Sequence, residues 1–389
     1  MLESSRASLR GVLRGIAGYA RLHGPWTIYH YEETSQADTL DDLKHWGAQG
    51  VIGPIKSARQ LERLQQLDLP VVDILGQFGV EEVSASLIDE WRVAQLAARH
   101  LLERGFEHFG YCGLFGVQYS ADRRRHFVST LRDAGYEVSV HNGPSVSRKE
   151  DFFSVEFEGQ LQQHASEYAA WIKALPKPVG LMACNDVRAR HIVDACTDYG
   201  VAVPEEVAVI GVDNDDLVCE LSDPTLSSVK TNSYLHGHEA AALLHKIVEG
   251  RRSLVERVQV EPLGVVTRRS TDVLAIADSY VATAVHFIRE HFRDGITVRE
   301  VLSRVPLSRS TLERRFNKVL GRSPKAEILR LQIEHVQKLL SSTDFPLLKV
   351  AHMAGFSYAS HMCEAFKEKT GFTPGQYRKR SQAEQPQHE

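Results

Sequence analysis

The chain has 389 residues, 43% of them hydrophobic and 25% charged, which excludes a disordered or fibrous protein and exceeds what one hydrophobic core holds. Its net charge of −4 is unevenly placed: from Ala275 onward there are 18 Lys and Arg against 12 Asp and Glu, leaving 28 against 38 in residues 1–274. An acidic body with a basic end is the pattern of polyanion binding confined to that end.

Two or three domains are therefore expected. No run approaches the ~20 apolar residues that span a bilayer. Met1-Leu-Glu-Ser-Ser-Arg6 does not combine basic residues with an apolar stretch as a secretory signal does. A cytoplasmic protein without a membrane partner is the expectation. The cysteines (Cys112, Cys184, Cys196, Cys219, Cys363) are odd in number and form no Cys-x-x-Cys. They read as core thiols, so neither a disulfide framework nor a metal site is expected.

Through residues 1–270, amphipathic helix patterns alternate with short apolar runs. The helices are Leu9–His23, Ala58–Leu67, Asp89–Arg104, Arg123–Ala134, Tyr168–Leu175, Val187–Gly200 and Tyr234–Gly250. The runs are Thr27–Tyr31, Gly50–Ile52, Val71–Leu75, His108–Gly113, Val179–Cys184 and Val207–Val212. Strands apolar on both faces and separated by helices predict an α/β domain with parallel sheets and helices on each side. The alternation restarts near Arg104, so two lobes are expected, with a ligand cleft at the carboxyl ends of their strands.

Polar residues follow several of those runs. Asn185-Asp186 comes after one, Asp213-Asn214 after another, Asp89 after Ser86-Leu-Ile, and Arg123-Arg124-Arg125 after Gly113-Leu-Phe. Carboxylates, amides and guanidinium groups are what bind vicinal hydroxyls, and Phe115 or Tyr119 offers an aromatic cover for an apolar ring face. Taken singly, Asp186 also reads as a helix cap, and Arg124 and Arg125 as solvated charges. An enzyme would need an acid–base pair such as Asp186 and Asp213. The chain has no P-loop, no dinucleotide fingerprint, no metal-spaced histidine pair and no nucleophile elbow, and His191, His236, His238 and His245 are scattered over helix faces. No cofactor is expected.

From Asp278 onward the pattern becomes all-helical and is repeated about fifty residues apart. The first copy runs Ile296–Phe316 and then Gly321-Arg-Ser-Pro324; the second runs Pro346–Phe366 and then Gly371-Phe-Thr-Pro374. In each a short helix ends in a tight turn, a serine (Ser308, Ser357) caps a longer helix, and Gly and Pro stop it. Lys325–Leu340 reads as a spacer helix. Ser310 and Arg314 in one copy, Ser360 and Glu364 in the other, fall on the face opposite the apolar stripe of Leu312 and Phe316, or Met362 and Phe366. Paired helix-turn-helix motifs present two reading heads to double-stranded DNA.

Ser308, Leu312, Phe316, Gly321 and Pro324, with Val350-Ala351, Gly355-Phe356, Ser360, Phe366-Lys367, Gly371, Pro374 and Tyr377-Arg378, resemble the AraC/XylS family of transcriptional regulators. One departure is that the family often has an aromatic pair and a basic residue where this chain has His361-Met362 and Glu364, which leaves the second head's base preference unassigned. The restart Arg104-Gly-Phe-Glu-His, Asn185-Asp186, Val203–Asn214 and Pro224-Thr-Leu-Ser-Ser-Val resemble the LacI/periplasmic-sugar-binding fold.

Together the two halves resemble the sugar-operon activators that pair these domains, with D-xylose as the effector sugar. That resemblance implies sugar contacts at Asp89 of the first lobe and Arg123, Asn185 and Asp213 of the second, closing the cleft. It also implies a homodimer and contact with RNA polymerase. Base contacts are expected from Arg309, Ser310 and Arg314, and from Ser357, Ser360 and His361, with Ser308 also on the DNA-binding surface; Lys318, Lys367 and Arg378 are expected on phosphates. A carrier of sugars, or an enzyme acting on them, is the alternative. Domains are expected at 1–270 and 276–381, with a disordered tail at 382–389. Such a fold opens on a buried strand, yet only Met1–Ser8 precede the first helix, so the true N-terminus is expected upstream of Met1.

Overall fold

The computed structural model describes residues 6–30, 42–55, 58–77, 83–143, 164–250, 255–272 and 278–383. The chain divides into two compact units, Met1–Ala275 and Ile276–Glu389. Part of the boundary read from sequence, residues 273–277, and most of the tail, residues 384–389, lie outside the described residues.

The first unit holds two sheets. The chain begins with α1 (Ala7–His23), α2 (Asp42–His45), β1 (Val51–Gly53), α3 (Ala58–Gln66), β2 (Val71–Asp73) and β3 (Ser84–Ile88). It then passes to the second sheet through α4 (Glu90–Leu102), β4 (His108–Cys112), α5 (Gln118–Asp133) and β5 (Val138–His141). That lobe continues with α6 (Ala165–Ala174), β6 (Val179–Ala183), α7 (Asp186–Asp198), β7 (Val207–Val212), α8 (Asp216–Leu221) and β8 (Ser227–Lys230). A return through α9 (Ser233–Val248) and β9 (Arg257–Val260) ends on β10 (Gly264–Val266). The strand orders are β1-β2-β3-β9 and β10-β8-β7-β6-β4-β5. All pairs are parallel except β10 with β8.

Strands β6 and β7 are buried at every residue, which requires cover on both faces. Val179, Leu181, Val207 and Val209 are fully buried there with Ile172, Ile192 and Val193 from α6 and α7. Each such side chain contributes roughly 1.5–3 kcal/mol. In the first lobe α1 lies so close against α9 that glycine is required: a Cβ on Gly15 would stand 2.0 Å from the Tyr234 carbonyl oxygen, and one on Gly237 1.9 Å from that of Val12.

Three connections cross between the lobes: Ile88–Glu90, Lys230–Ser233 and Val260–Gly264. Asp89 N–H donates to the Val260 carbonyl (3.0 Å) and Leu263 N–H to that of Lys230 (2.8 Å), lacing the connections into one hinge. Asp89 thus sits in the hinge, capping α4 on the second lobe, and not in the first lobe as expected.

Several strands were not signalled by an apolar run. β3 and β8 bury Ser84, Ser86, Ser227 and Ser228. Their hydroxyls are satisfied by residues distant in sequence: Ser86 Oγ donates to the His236 carbonyl (3.0 Å) and Ser227 Oγ to that of Arg268 (2.9 Å). Burial of these polar strands costs little once every hydroxyl is paired. Conversely, Thr27–Tyr31 was read as a strand, yet Thr27–His30 is irregular backbone and Tyr31 lies outside the described residues. Its Tyr29 stacks on Trp46 at 5.3 Å.

The second unit is helical: α10 (Ser279–His291), α11 (Val298–Leu302), α12 (Arg309–Leu320), α13 (Pro324–Ser342), α14 (Leu347–Met353), α15 (Ala359–Thr370) and α16 (Pro374–Ala383). Helices α12 and α15 have the same length and are offset by 50 residues, each ended by a left-handed glycine, Gly321 or Gly371. Ser308 caps α12, its Oγ accepting the Thr311 N–H. Ser357 does not cap α15: the N-cap is Tyr358, which has no side-chain bond to offer. Glycines and prolines 50 residues apart place Tyr358, not Ser357, opposite Ser308. The last helix runs to Ala383, two residues into the segment expected to be disordered.

Candidate functional site

A cleft of about 490 Å³ in the first unit collects side chains from both lobes and the hinge. Asp89, Arg123, Asn185 and Asp213 all line it, so the structure brings the four sequence-predicted residues together. Asn185 and Asp213 follow β6 and β7 directly; Arg123 stands in the second turn of α5, which begins five residues earlier than its apolar pattern suggests. A larger hollow of about 730 Å³ near Trp26 and Trp46 has a mainly apolar wall and lacks such a group of charges.

Arg123 organises the cleft. Only 4% exposed, it donates through Nε and Nη2 to the two carboxylate oxygens of Glu90 (2.5 and 3.1 Å) and through Nη1 to the Cys184 carbonyl. Its Nη2 is 4.0 Å from Asp213, and its guanidinium lies 4.9 Å over the Tyr119 ring. Burial opposes the Arg123 charge, but Glu90 and Asp213 outweigh it and hold the group protonated. Glu90 was missed in the sequence, where it reads as an ordinary first-turn acid of α4. Burial pushes its carboxyl up to about 7, with Arg123 pulling the other way.

The remaining groups are held by hydrogen bonds to their neighbours. Asp89 Oδ1 accepts the Arg92 N–H (2.9 Å). Asn185 Oδ1 accepts the Arg188 N–H (2.8 Å), while its Nδ2 donates to Tyr119 Oη (3.2 Å). Asp213 and Asn214 both have left-handed backbone, φ 106° and 56°. Such strain in non-glycine residues persists only where surroundings impose it, and it clusters at ligand clamps. Here Ser228 Oγ accepts the Asn214 N–H (3.0 Å), and Arg268 Nη1 donates to Asn214 Oδ1 (2.9 Å). Burial raises the Asp213 carboxyl, against the pull of Arg123.

Asp186 faces away from this set. Its oxygens accept from Asp215 N–H (2.7 Å) and Ser228 Oγ (2.6 Å), and burial, reinforced by Asp213, pushes its carboxyl to about 8. It shapes the loop that carries Asp213. Of the aromatic candidates Tyr119 lines the cleft; Phe115 is not among the lining residues, and Trp91, unnoticed in the sequence, is. The mouth is bridged between lobes: Gln77 Nε2 donates to the Gly116 carbonyl (2.8 Å), and Gln118 N–H to Gln77 Oε1 (2.9 Å). Ala7 N–H donates to Asp215 (3.0 Å).

In the second unit the two equivalent helices bury Leu312, Phe316 and Leu320, or Met362, Ala365 and Phe366. Ser308, Arg309, Ser310, Arg314 and Lys318 are exposed around α12, and Ser357, Ser360, His361 and Lys367 around α15. Arg309 pairs with Glu313 (3.0 Å), whereas Arg314 has no partner among the described residues. The His361 ring stands edge-on to Phe356, centroids 5.7 Å apart. Arg378 differs: half-buried, it donates to the Phe345 carbonyl (2.6 Å) and so holds the turn before α14. The scaffold beneath is charged and tightly paired. Glu327, 1% exposed, binds Arg322 and Arg330, and Arg315 Nη1 donates to both oxygens of Asp278 (3.2 and 3.0 Å).

Comparison with known proteins agrees with both units. A periplasmic binding protein-like domain model matches residues 98–271, and a helix-turn-helix domain model residues 301–380. A two-lobed binding domain joined to the paired helix-turn-helix unit of the AraC type defines a DNA-binding transcription regulator. The xylose operon regulatory protein of Escherichia coli (strain K12) is 31% identical over 387 residues, covering 97% of this chain and 95% of the relative. That of Haemophilus influenzae is 29% identical, covering 97% of each. The chain belongs to the xylose operon regulatory protein family. The solved xylose-binding transcription activator xylR matches with TM-score 0.80 at 29% identity, covering 97% of this chain and 96% of that one. A LacI family regulator from Enterococcus faecium with bound ribose shares the fold over 71% of this chain, TM-score 0.56 at 20% identity.

Among the described residues no helix is long and apolar enough to cross a membrane, and no cluster of His, Cys, Asp and Glu is arranged to hold a metal.

Proposed function

We propose that this protein is a cytoplasmic, sugar-responsive activator of pentose catabolic genes, with D-xylose as effector. Residues 1–270 hold the sugar and residues 276–381 the duplex. The observation that carries the reading is the convergence of Asp89, Glu90, Arg123, Asn185 and Asp213 on one cleft, in a chain whose other unit presents two exposed, equivalent helices. Carboxylates accept from paired hydroxyls, Arg123 and Asn185 donate to ring and hydroxyl oxygens, and Trp91 or Tyr119 covers an apolar ring face. Binding rather than turnover is the chemistry this reading assigns to the cleft, as in the transcription regulators the chain resembles.

The sugar reaches hinge and second lobe at once and stabilises the closed mouth that Gln77 and Asp215 bridge. A coupling of ~1–3 kcal/mol suffices to switch how two subunits of a homodimer set their reading heads on neighbouring half-sites. Arg309, Ser310 and Arg314 address one major groove, beside the DNA-facing cap Ser308, and Ser357, Ser360 and His361 the next. Lys318 and Lys367 meet phosphates, whereas Arg378, committed to the Phe345 carbonyl, holds the turn before α14, and activation requires contact with RNA polymerase. A calorimetric screen of pentoses and hexoses tests the effector half. Xylose is expected to bind, and Asp213→Ala to weaken it at least tenfold; binding of no sugar, or binding indifferent to Asp213, overturns it.

A further inference from the structure

The 50-residue repeat allows the reading helices to be compared position by position. Arg309 is equivalent to Ala359, Ser310 to Ser360, Arg314 to Glu364 and Lys318 to Glu368. Arg314 and Glu364 are both exposed, both lie opposite the buried stripe, and neither has a partner among the described residues. The helix carrying Glu364 is otherwise normal: Met362 and Phe366 are fully buried beneath it, so its outward face is as firmly aimed as that of α12. Resting on the DNA-binding reading above, we propose that Glu364 determines the specificity of the second head by selecting a C·G pair whose cytosine faces its carboxylate.

The chemistry leaves few alternatives. A carboxylate has acceptors only, and phosphates on both sides of a major groove repel it. It is tolerated there when a base amino group donates to it. Cytosine N4 is such a donor and has no acceptor beside it on its own edge; adenine N6 is flanked by the N7 acceptor, and guanine and thymine present acceptors. No neighbour on α15 neutralises the charge first, since Lys367, one turn on, forms no ion pair with it. Position 359 is alanine, and the N-cap is Tyr358, 72% exposed, so the start of this helix offers apolar surface suited to a thymine methyl in place of a guanidinium. The two heads are thus unequal: one reads guanine with a free arginine, the other cytosine with a free carboxylate.

The test is selection of duplexes with randomised half-sites by the full-length protein at saturating xylose, beside Glu364→Gln and Arg314→Ala. The wild type is expected to enrich cytosine at one position of one half-site. Glu364→Gln is expected to lower that preference about tenfold, leaving the other half-site intact, while Arg314→Ala does the reverse. Two results overturn the proposal: no cytosine preference in the wild type, or an unchanged preference in Glu364→Gln with affinity raised evenly across sequences, as for a solvated acid. Selectivity in neither half-site would instead defeat the DNA-binding reading on which the proposal stands.

Discussion

Arg123 binds Glu90 through two hydrogen bonds of 2.5 and 3.1 Å, and both residues are lodged where the hinge meets the cleft floor. The pair sets the charge of the site. With the Glu90 carboxylate committed to the guanidinium, the proposed function leaves Asp213 and Asp89 as the acceptors for sugar hydroxyls. Removing one member of a buried pair leaves the other uncompensated, at about 3–5 kcal/mol. Glu90→Gln is therefore expected to lower the unfolding midpoint by several degrees and to weaken sugar binding more than tenfold, measured by thermal unfolding and calorimetry. Retained affinity would show that the pair has no bearing on the ligand.

The Gln77 side chain spans the two lobes at the mouth of the cleft. Its amide both donates to Gly116 and accepts from Gln118, two bonds of about 1 kcal/mol each. Gln77→Ala is expected to weaken sugar binding five- to thirtyfold without moving the unfolding midpoint of the helical unit. Solution scattering should report a larger radius of gyration for the unliganded variant. An unchanged affinity would mean the bridge forms only after the ligand is held.

The pH dependence of stability follows from the raised carboxyl of Asp186, near 8, whose partners are a hydroxyl and a backbone N–H rather than a guanidinium. A group whose folded pKa lies above its unfolded value binds extra protons in the native state. Stability from this group is complete below about pH 4 and is lost as pH rises through about 8. The unfolding free energy is expected to fall between pH 5 and 8. Asp186→Asn should flatten that fall by up to about 1.4 kcal/mol per pH unit. Parallel profiles for wild type and variant would contradict the assignment.

The caps of the two reading helices differ in a way that melting experiments resolve. Ser308→Ala removes a cap worth about 1 kcal/mol. Ser357→Ala should change stability by a few tenths at most, because Ser357 caps nothing. Tyr358→Ser, by placing a hydroxyl at the true N-cap, should stabilise α15 by a similar ~1 kcal/mol.

Much of the architecture was legible because it is local. Gly321 and Gly371 end helices only glycine ends easily, and Pro324 and Pro374 restart the chain 50 residues apart. The runs Val179–Ala183 and Val207–Val212 are apolar because both faces are covered. What escaped was long-range. Ser84-Ala-Ser and Ser227-Ser are strands because hydroxyl partners lie up to 150 residues away. Glu90 became a site residue through α5, 33 positions on. The cap at Tyr358 is encoded in the repeat, since counting back from Gly371 by the first copy's spacing lands on it, and Ser357 is one residue out of register.

The most direct measurement is fluorescence anisotropy of labelled promoter duplex against full-length protein, with and without xylose, over a range of salt, beside Asp213→Ala. Sequence-selective binding that weakens steeply with salt, and that xylose shifts at least fivefold in the wild type but not in Asp213→Ala, is the expected result. Binding that ignores xylose, or that xylose shifts equally in the variant, would contradict the link between cleft and reading helices.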